Sequence, residues 1–235
     1  PGPVKPHVAI PTTSGTGSET SPASVITLPK QKLKVGVSSD LLRPTLAVLD
    51  PMMTVNCPPS VTASAGMDAL SHAIGSYTTR RFDQKTRPKT PMERPPYGGG
   101  TELTDTFALK AIEMLGCYLR RAVYQGLDIE ARSKVQLASF YAGVAFTNTG
   151  VIADHAMAYP LGGEFHVPHG LSCALLLPAV MEYNLPGNYE KSANIARALG
   201  EDVAGLSVVE AAARSVNAVK KLSKDIRIPS GLEAI

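Results

Sequence analysis

Up to about residue 56 the chain alternates short apolar runs with glycine, proline and serine turns. "HVAIP", "ASVITL", "LKVGVS" and "TLAVLD" read as β-strands. Beyond that point apolar positions recur at helical spacing. "PPSVTASAGMDALSHAIGSY" opens on prolines and a serine, and places Val61, Ala65, Leu70, Ala73, Ile74 and Tyr77 on one or two adjoining faces of a helix. A Pro/Gly-rich loop interrupts the pattern from 80 to 103. The periodicity then predicts helices over about 105–124, 128–147, 169–184, 188–199 and 207–225, with a short helical run around His155. Ser207 and Glu210 form a capping box for the last of these, and Gly126 and Gly200 suit helix C-termini. The pattern implies a mainly α chain: the β-rich end of an α/β unit over residues 1–56, then a helical domain over 57–235.

Composition narrows the function classes. With 235 residues, 44% hydrophobic and 18% charged, the chain has enough apolar content for a sizeable core. No apolar run approaches the ~20 residues of a membrane span. A net charge of +3 is too small to indicate nucleic acid as a partner. Cys57, Cys117 and Cys173 sit in apolar surroundings without CxxC spacing, which reads as buried thiols in a reducing compartment, cytoplasm or mitochondrial matrix. The chain opens on "PGPVKP" rather than Met and stops at "SGLEAI", as a processed protein or an interior piece of a longer one would.

Three of the five histidines, His155, His166 and His169, fall in "VIADHAMAYPLGGEFHVPHG". Upstream, Asp68 and His72 in "GMDALSHAI" are four apart, so a helix puts both on one face. Asp68, His72, His155 and His169 together would make a one-oxygen, three-nitrogen site for Zn²⁺ or Fe²⁺. By spacing alone, Asp68 and His72 equally suit an ordinary pair on a helix surface, and His155 a satisfied core histidine. A second constellation, "IPTTSGTGSETSPASVIT", sets threonines and glycines after an apolar strand, where backbone amides and hydroxyls can approach phosphate. It lacks the third glycine of a Rossmann fingerprint and the GK[ST] of a P-loop, so a plain hairpin loop also fits.

"PTTSGTGSE", "GMDALSHAI", "DHAMAYPLGGEF" and "VPHGLSCALLLP" occur in the order and near the spacing seen in the iron-containing (group III) alcohol dehydrogenases, and the chain resembles that family over essentially its whole length. The resemblance implies an NAD- or NADP-dependent oxidoreductase with an α/β dinucleotide-binding domain, a helical metal-binding domain and a homo-oligomeric, dimeric state. It implies a small alcohol, aldehyde or hydroxy acid as substrate. It assigns Asp68, His72, His155 and His169 to Fe²⁺ or Zn²⁺, and Thr12, Thr13, Gly15, Thr16 and Lys34 to the nicotinamide cofactor. His166 gains no role. Two departures matter. The second histidine common in HxMAHP is Tyr159 here, which becomes the catalytic candidate. The GGGS phosphate loop expected upstream is absent, so the chain reads as an interior section lacking most of the dinucleotide domain.

Tyr159 and the insertion "TRPKTPMERPPYGGG" look like the hydroxyacid-oxoacid transhydrogenase branch, which passes hydride through a retained nicotinamide. Arg80, Arg81, Lys85, Arg87, Lys89 and Arg94 of the 80–102 loop, set against Asp83, Glu93 and Glu102, could hold a substrate carboxylate, but a solvated charged loop is the better fit to such a charge run. Two other readings stay open: a glycerol-dehydrogenase-like zinc enzyme, and a helical metal-binding fragment without catalysis.

Overall fold

In the computed structural model, residues 5–31 and 33–234 are described. Four short strands precede seven α-helices among these residues. Strand β1 (Val8–Ala9) pairs in parallel with β4 (Leu46–Ala47), Val8 opposite Leu46. Between them, β2 (Ala23–Leu28) and β3 (Leu33–Ser38) form an antiparallel hairpin with Ala23 opposite Ser38 and Leu28 opposite Leu33. The two outer strands are shorter than their apolar runs suggest, because each has a single neighbour over two residues.

The helices follow the sequence periodicity closely. They are α1 (Pro59–Thr78), α2 (Glu102–Tyr124), α3 (Ile129–Thr149), α4 (Ala153–Glu164), α5 (His169–Asn184), α6 (Tyr189–Ala198) and α7 (Val208–Asp225). Proline at the first position of α1 costs nothing, since its missing N–H has no intrahelical partner there. Helix α2 begins three residues earlier than the apolar pattern indicates because Thr101 and Thr104 cap each other. Asp128 caps α3 through the Ala131 amide at 3.0 Å, and the Ser207–Glu210 box caps α7. Gly200 follows α6 at φ 88°, the left-handed conformation that glycine tolerates. Gly126 does not play that part: Gln125 caps α2, and the Gly126 carbonyl accepts from Arg132 Nε at 2.9 Å.

Helix α1 is the hub. Every residue from Gly66 to Tyr77 is buried, so this stretch has no solvent face and the one- or two-face pattern understates its enclosure. Small residues permit that enclosure: a Cβ on Gly66 would lie 2.3 Å from the Leu119 side chain of α2, and one on Gly75 3.3 Å from Ile152 at the start of α4. Helices α2, α3 and α5 pack around it. Among the described residues every buried apolar core side chain lies at or beyond Ala63. The thiols correct one expectation. Cys173 is buried, but Cys57 is only half-buried and Cys117 is exposed on the outer face of α2.

Candidate metal centre

Asp68 and His72 project from the enclosed middle of α1, and Asp68 is 2% and His72 5% exposed. That burial rules out the surface-pair reading. Helix α4 starts after Gly150, held at φ 91°, and brings in His155 from its first turn. Helix α5 begins at His169 itself, with Pro168 as N-cap. Gly170 lets this end approach α1, since a Cβ there would meet the Ser64 carbonyl oxygen at 2.5 Å and Asp68 Cβ at 3.3 Å.

The three helices gather their polar atoms around one oxygen. Asp68 Oδ1 lies 3.9 Å from His72 Nε2, 3.6 Å from His155 Nε2 and 3.7 Å from His169 Nε2. Asp68 Oδ1 and His155 Nε2 are buried without a hydrogen-bond partner. Buried polar atoms rarely stay unsatisfied, and leaving one so costs about 1–3 kcal/mol. Two ligands about 2.1 Å from a shared ion lie about 3.0–3.4 Å apart at octahedral or tetrahedral angles. A contraction of a few tenths of an ångström would therefore suit these donors to a divalent ion, so the residues fit a metal.

Surrounding groups hold the imidazoles in place. His155 Nδ1 meets Asp154 Oδ1 at 3.2 Å, and Ser71 Oγ donates to the other Asp154 oxygen. This carboxylate–imidazole arrangement fixes the ring and presents Nε2 to the cluster. His72 is oriented differently. Its Nδ1 has no partner, and its ring stacks on Phe146 of α3 at a centroid distance of 4.1 Å and 13°. The electrostatics assign the proton in the metal-free cluster. Burial alone would discharge His155, but its contacts with Asp154, Asp68 and the Cys173 thiol overcome that and raise its pKa well above the ordinary imidazole value. Burial keeps His72 neutral, lowering its pKa to about 4 against the attraction of Asp68. His169 is lowered as well, first by burial. Burial would raise the Asp68 pKa, but the surrounding imidazoles, His72 foremost, lower it far below the carboxylate range.

The four residues open onto a cavity of about 390 Å³. The β2–β3 hairpin lines it with Val25, Thr27 and Lys34, and Thr16, Tyr97, Phe146 and Tyr159 line it as well.

Two family signatures match this chain. Residues 98–235 match "Fe-containing alcohol dehydrogenase family, C-terminal", and residues 1–51 match "Iron-containing alcohol dehydrogenase". The chain belongs to the iron-containing alcohol dehydrogenase family. It is 40% identical over 229 residues to the NAD-dependent methanol dehydrogenase of Bacillus methanolicus, covering 97% of this chain and 55% of that protein. It is 37% identical over 247 residues to the mitochondrial hydroxyacid-oxoacid transhydrogenase of Mus musculus, covering 99% and 53% respectively. The chain thus spans about half the length of these curated relatives. Among solved structures, a 1,3-propanediol oxidoreductase superposes with a TM-score of 0.89 at 37% identity, over 100% of this chain and 56% of that one.

For this family member the cofactor candidates divide. Thr16 and Lys34 line the cavity, and the Lys34 ammonium rests against Gly162 of α4, where a Cβ would lie 2.5 Å from Nζ. Thr12 and Thr13 do not line it, and Gly15 is buried against α1, where a Cβ would lie 2.6 Å from the Ala65 carbonyl oxygen. Close packing of this loop on α1 therefore accounts for a glycine there. In the basic loop Arg87 and Arg94 are exposed, as a solvated charged loop would have them, and Tyr97 is the loop residue on the cavity wall. His166 is an exposed loop residue at φ 58°. Sequence reasoning missed Asp154, Ser71, Phe146 and Cys173. The position of Cys173, four residues after His169 as His72 is after Asp68, was the available signal.

Proposed function

We propose that the protein carrying this chain is a metal-dependent, NAD(P)-linked alcohol dehydrogenase that transfers hydride between an alcohol or hydroxy acid and nicotinamide. The observation that carries this reading is the buried, unpartnered Asp68 oxygen with three imidazoles around it on a cavity wall. Asp68, His72, His155 and His169 hold one ion, and their mixed oxygen and nitrogen chemistry suits Fe²⁺. When bound, the ion supplies Lewis-acid polarisation of the substrate oxygen. The nicotinamide carries the hydride, and the protein orients it. Asp154 keeps the His155 ring fixed and Phe146 keeps that of His72, so the donors need little rearrangement. Tyr159, whose ring lies 6.2 Å from that of His169, offers its phenolic oxygen to the substrate hydroxyl. Thr16 and Lys34 face the cofactor, and Thr12, Thr13 and Gly15 shape the loop that carries them. We assign residues 1–56 to the end of the dinucleotide-binding domain and 57–235 to the helical domain. The distribution of the buried core supports that division.

Hydroxyacid-oxoacid transhydrogenation with a retained cofactor is the second reading. Lys34 favours it, being the one lysine or arginine lining the cavity among the described residues. Comparing kcat/KM for 4-hydroxybutyrate and 1-butanol, in the parent and in Lys34→Met, separates the two. A loss confined to the acid supports a carboxylate contact. A loss shared by both substrates, with a raised KM for nicotinamide, supports a cofactor contact. Turnover that persists after verified metal removal would sink the metal-dependent reading, and metal binding without turnover of any alcohol would leave only a metal-binding fragment.

A further inference from the structure

Cys173 stands one helical turn after His169, on the same face of α5. Its sulfur lies 3.7 Å from His169 Nε2. One donor atom each from Asp68, His155, His169 and Cys173 all fall within 4.8 Å of one another, and His72 is outside that group. Asp68 Oδ1 and His155 Nε2, more than nine-tenths buried and without hydrogen-bond partners, point independently to a ligand at this spot. The sulfur does not line the cavity, whereas His72 does.

We propose that Cys173 is a sulfur ligand, so that a thiophilic divalent ion is held by Asp68, His155, His169 and Cys173 with His72 left out. This rests on reading Asp68, His155 and His169 as ligands. The two donor sets share those three residues, so one ion at a time occupies them. Thiolate favours Zn²⁺ and Cd²⁺ over harder ions such as Mn²⁺, while the set completed by His72 offers only nitrogen and oxygen. On binding, the thiol proton leaves to solvent as the sulfur–metal bond forms, with no change of oxidation state. Four protein ligands in a tetrahedral set close the coordination sphere as in structural zinc sites, and sulfur draws the ion away from the cavity. The identity of the ion thus selects between an open centre facing the substrate and a closed one.

X-ray absorption on the zinc-loaded protein tests this directly. One sulfur scatterer at about 2.3 Å beside nitrogen and oxygen at about 2.0–2.2 Å is expected. In Cys173→Ser the sulfur shell disappears while bound zinc persists, and the sulfur-to-cobalt charge-transfer band of the cobalt-loaded parent is lost. A parent spectrum with nitrogen and oxygen alone overturns the sulfur ligand while leaving the metal centre standing. A sulfur shell that survives in Cys173→Ser assigns it to another thiol and overturns the proposal equally. A parent that takes up no metal overturns both readings.

Discussion

Asp68 Oδ1 and His155 Nε2, carried on α1 and α4, face each other at 3.6 Å in a buried site where neither has a hydrogen-bond partner. An ion between them would remove that unfavourable arrangement. We expect excess Zn²⁺ or Fe²⁺ to raise the Tm of the chelated protein. At a hundred times Kd the stabilisation is about 2.7 kcal/mol, or roughly 5–10 °C for a chain of this size. Asp68→Asn should abolish the shift. An equal shift in the variant would remove Asp68 from the site.

The proton on His155 predicts how the chelated protein responds to pH. Its folded pKa is raised, so its contribution is complete below the unfolded value of 6.5 and is lost as pH rises above that. The folded pKa of His72 is lowered to about 4, so the unfolded state binds the extra proton between 6.5 and 4, and stability falls as pH drops through that window. Stability of the chelated form should therefore peak near pH 6.5. Its alkaline limb should slope by up to about 1.4 kcal/mol per pH unit. Urea denaturation across pH 4–9 in chelator checks this, and a flat alkaline limb would contradict the assignment of the proton to His155. Metal uptake must displace the same proton, so apparent affinity should rise with pH above neutrality.

Asp154 receives the His155 ring and is itself held by Ser71. Asp154→Asn keeps the shape but can satisfy the wrong face of the imidazole. Metal affinity should fall about 10–100-fold with the helical fold retained. Competition against a chromophoric chelator, with circular dichroism alongside, measures both. Unchanged affinity would reduce Asp154 to a bystander.

Gly170 controls the approach of α5 to α1, because a Cβ would meet backbone atoms of Ser64 at 2.5 and 2.9 Å and these cannot swing aside. Gly170→Ala should cost about 1–3 kcal/mol through overpacking and weaken metal binding by shifting His169. Gly187, which has nothing within 4 Å of its added Cβ, is the control, and Gly187→Ala should leave metal binding intact. Equal metal affinity in the two variants would show that helix separation does not set the site.

Helix positions were legible because amphipathic spacing and caps are local. Ser207 with Glu210 could be read as a cap directly, and α5 begins at the histidine the pattern indicated. The candidate centre was half legible. Asp68 and His72 share a face by helix geometry, but nothing local says that the face is buried or that His155 and His169 meet it. Motif resemblance joined the four, and the distances to Asp68 Oδ1 bring them together physically. The role of the basic loop stayed open because guanidinium content in a sequence carries no direction; Arg87 and Arg94 are exposed, while Tyr97 lines the cavity.

By itself the sequence determined roughly where the helices lie and which residue types were candidates to bind a metal, since both depend on residue type and near-neighbour spacing. Tertiary structure alone decided that α1 is enclosed on every side from Gly66 to Tyr77, that Gly15 lets its loop and Gly170 lets α5 approach α1, and that the Cys173 sulfur lies 3.7 Å from His169 Nε2. Those outcomes depend on how closely separate helices approach, and that is set by small residues and backbone atoms far apart in the chain.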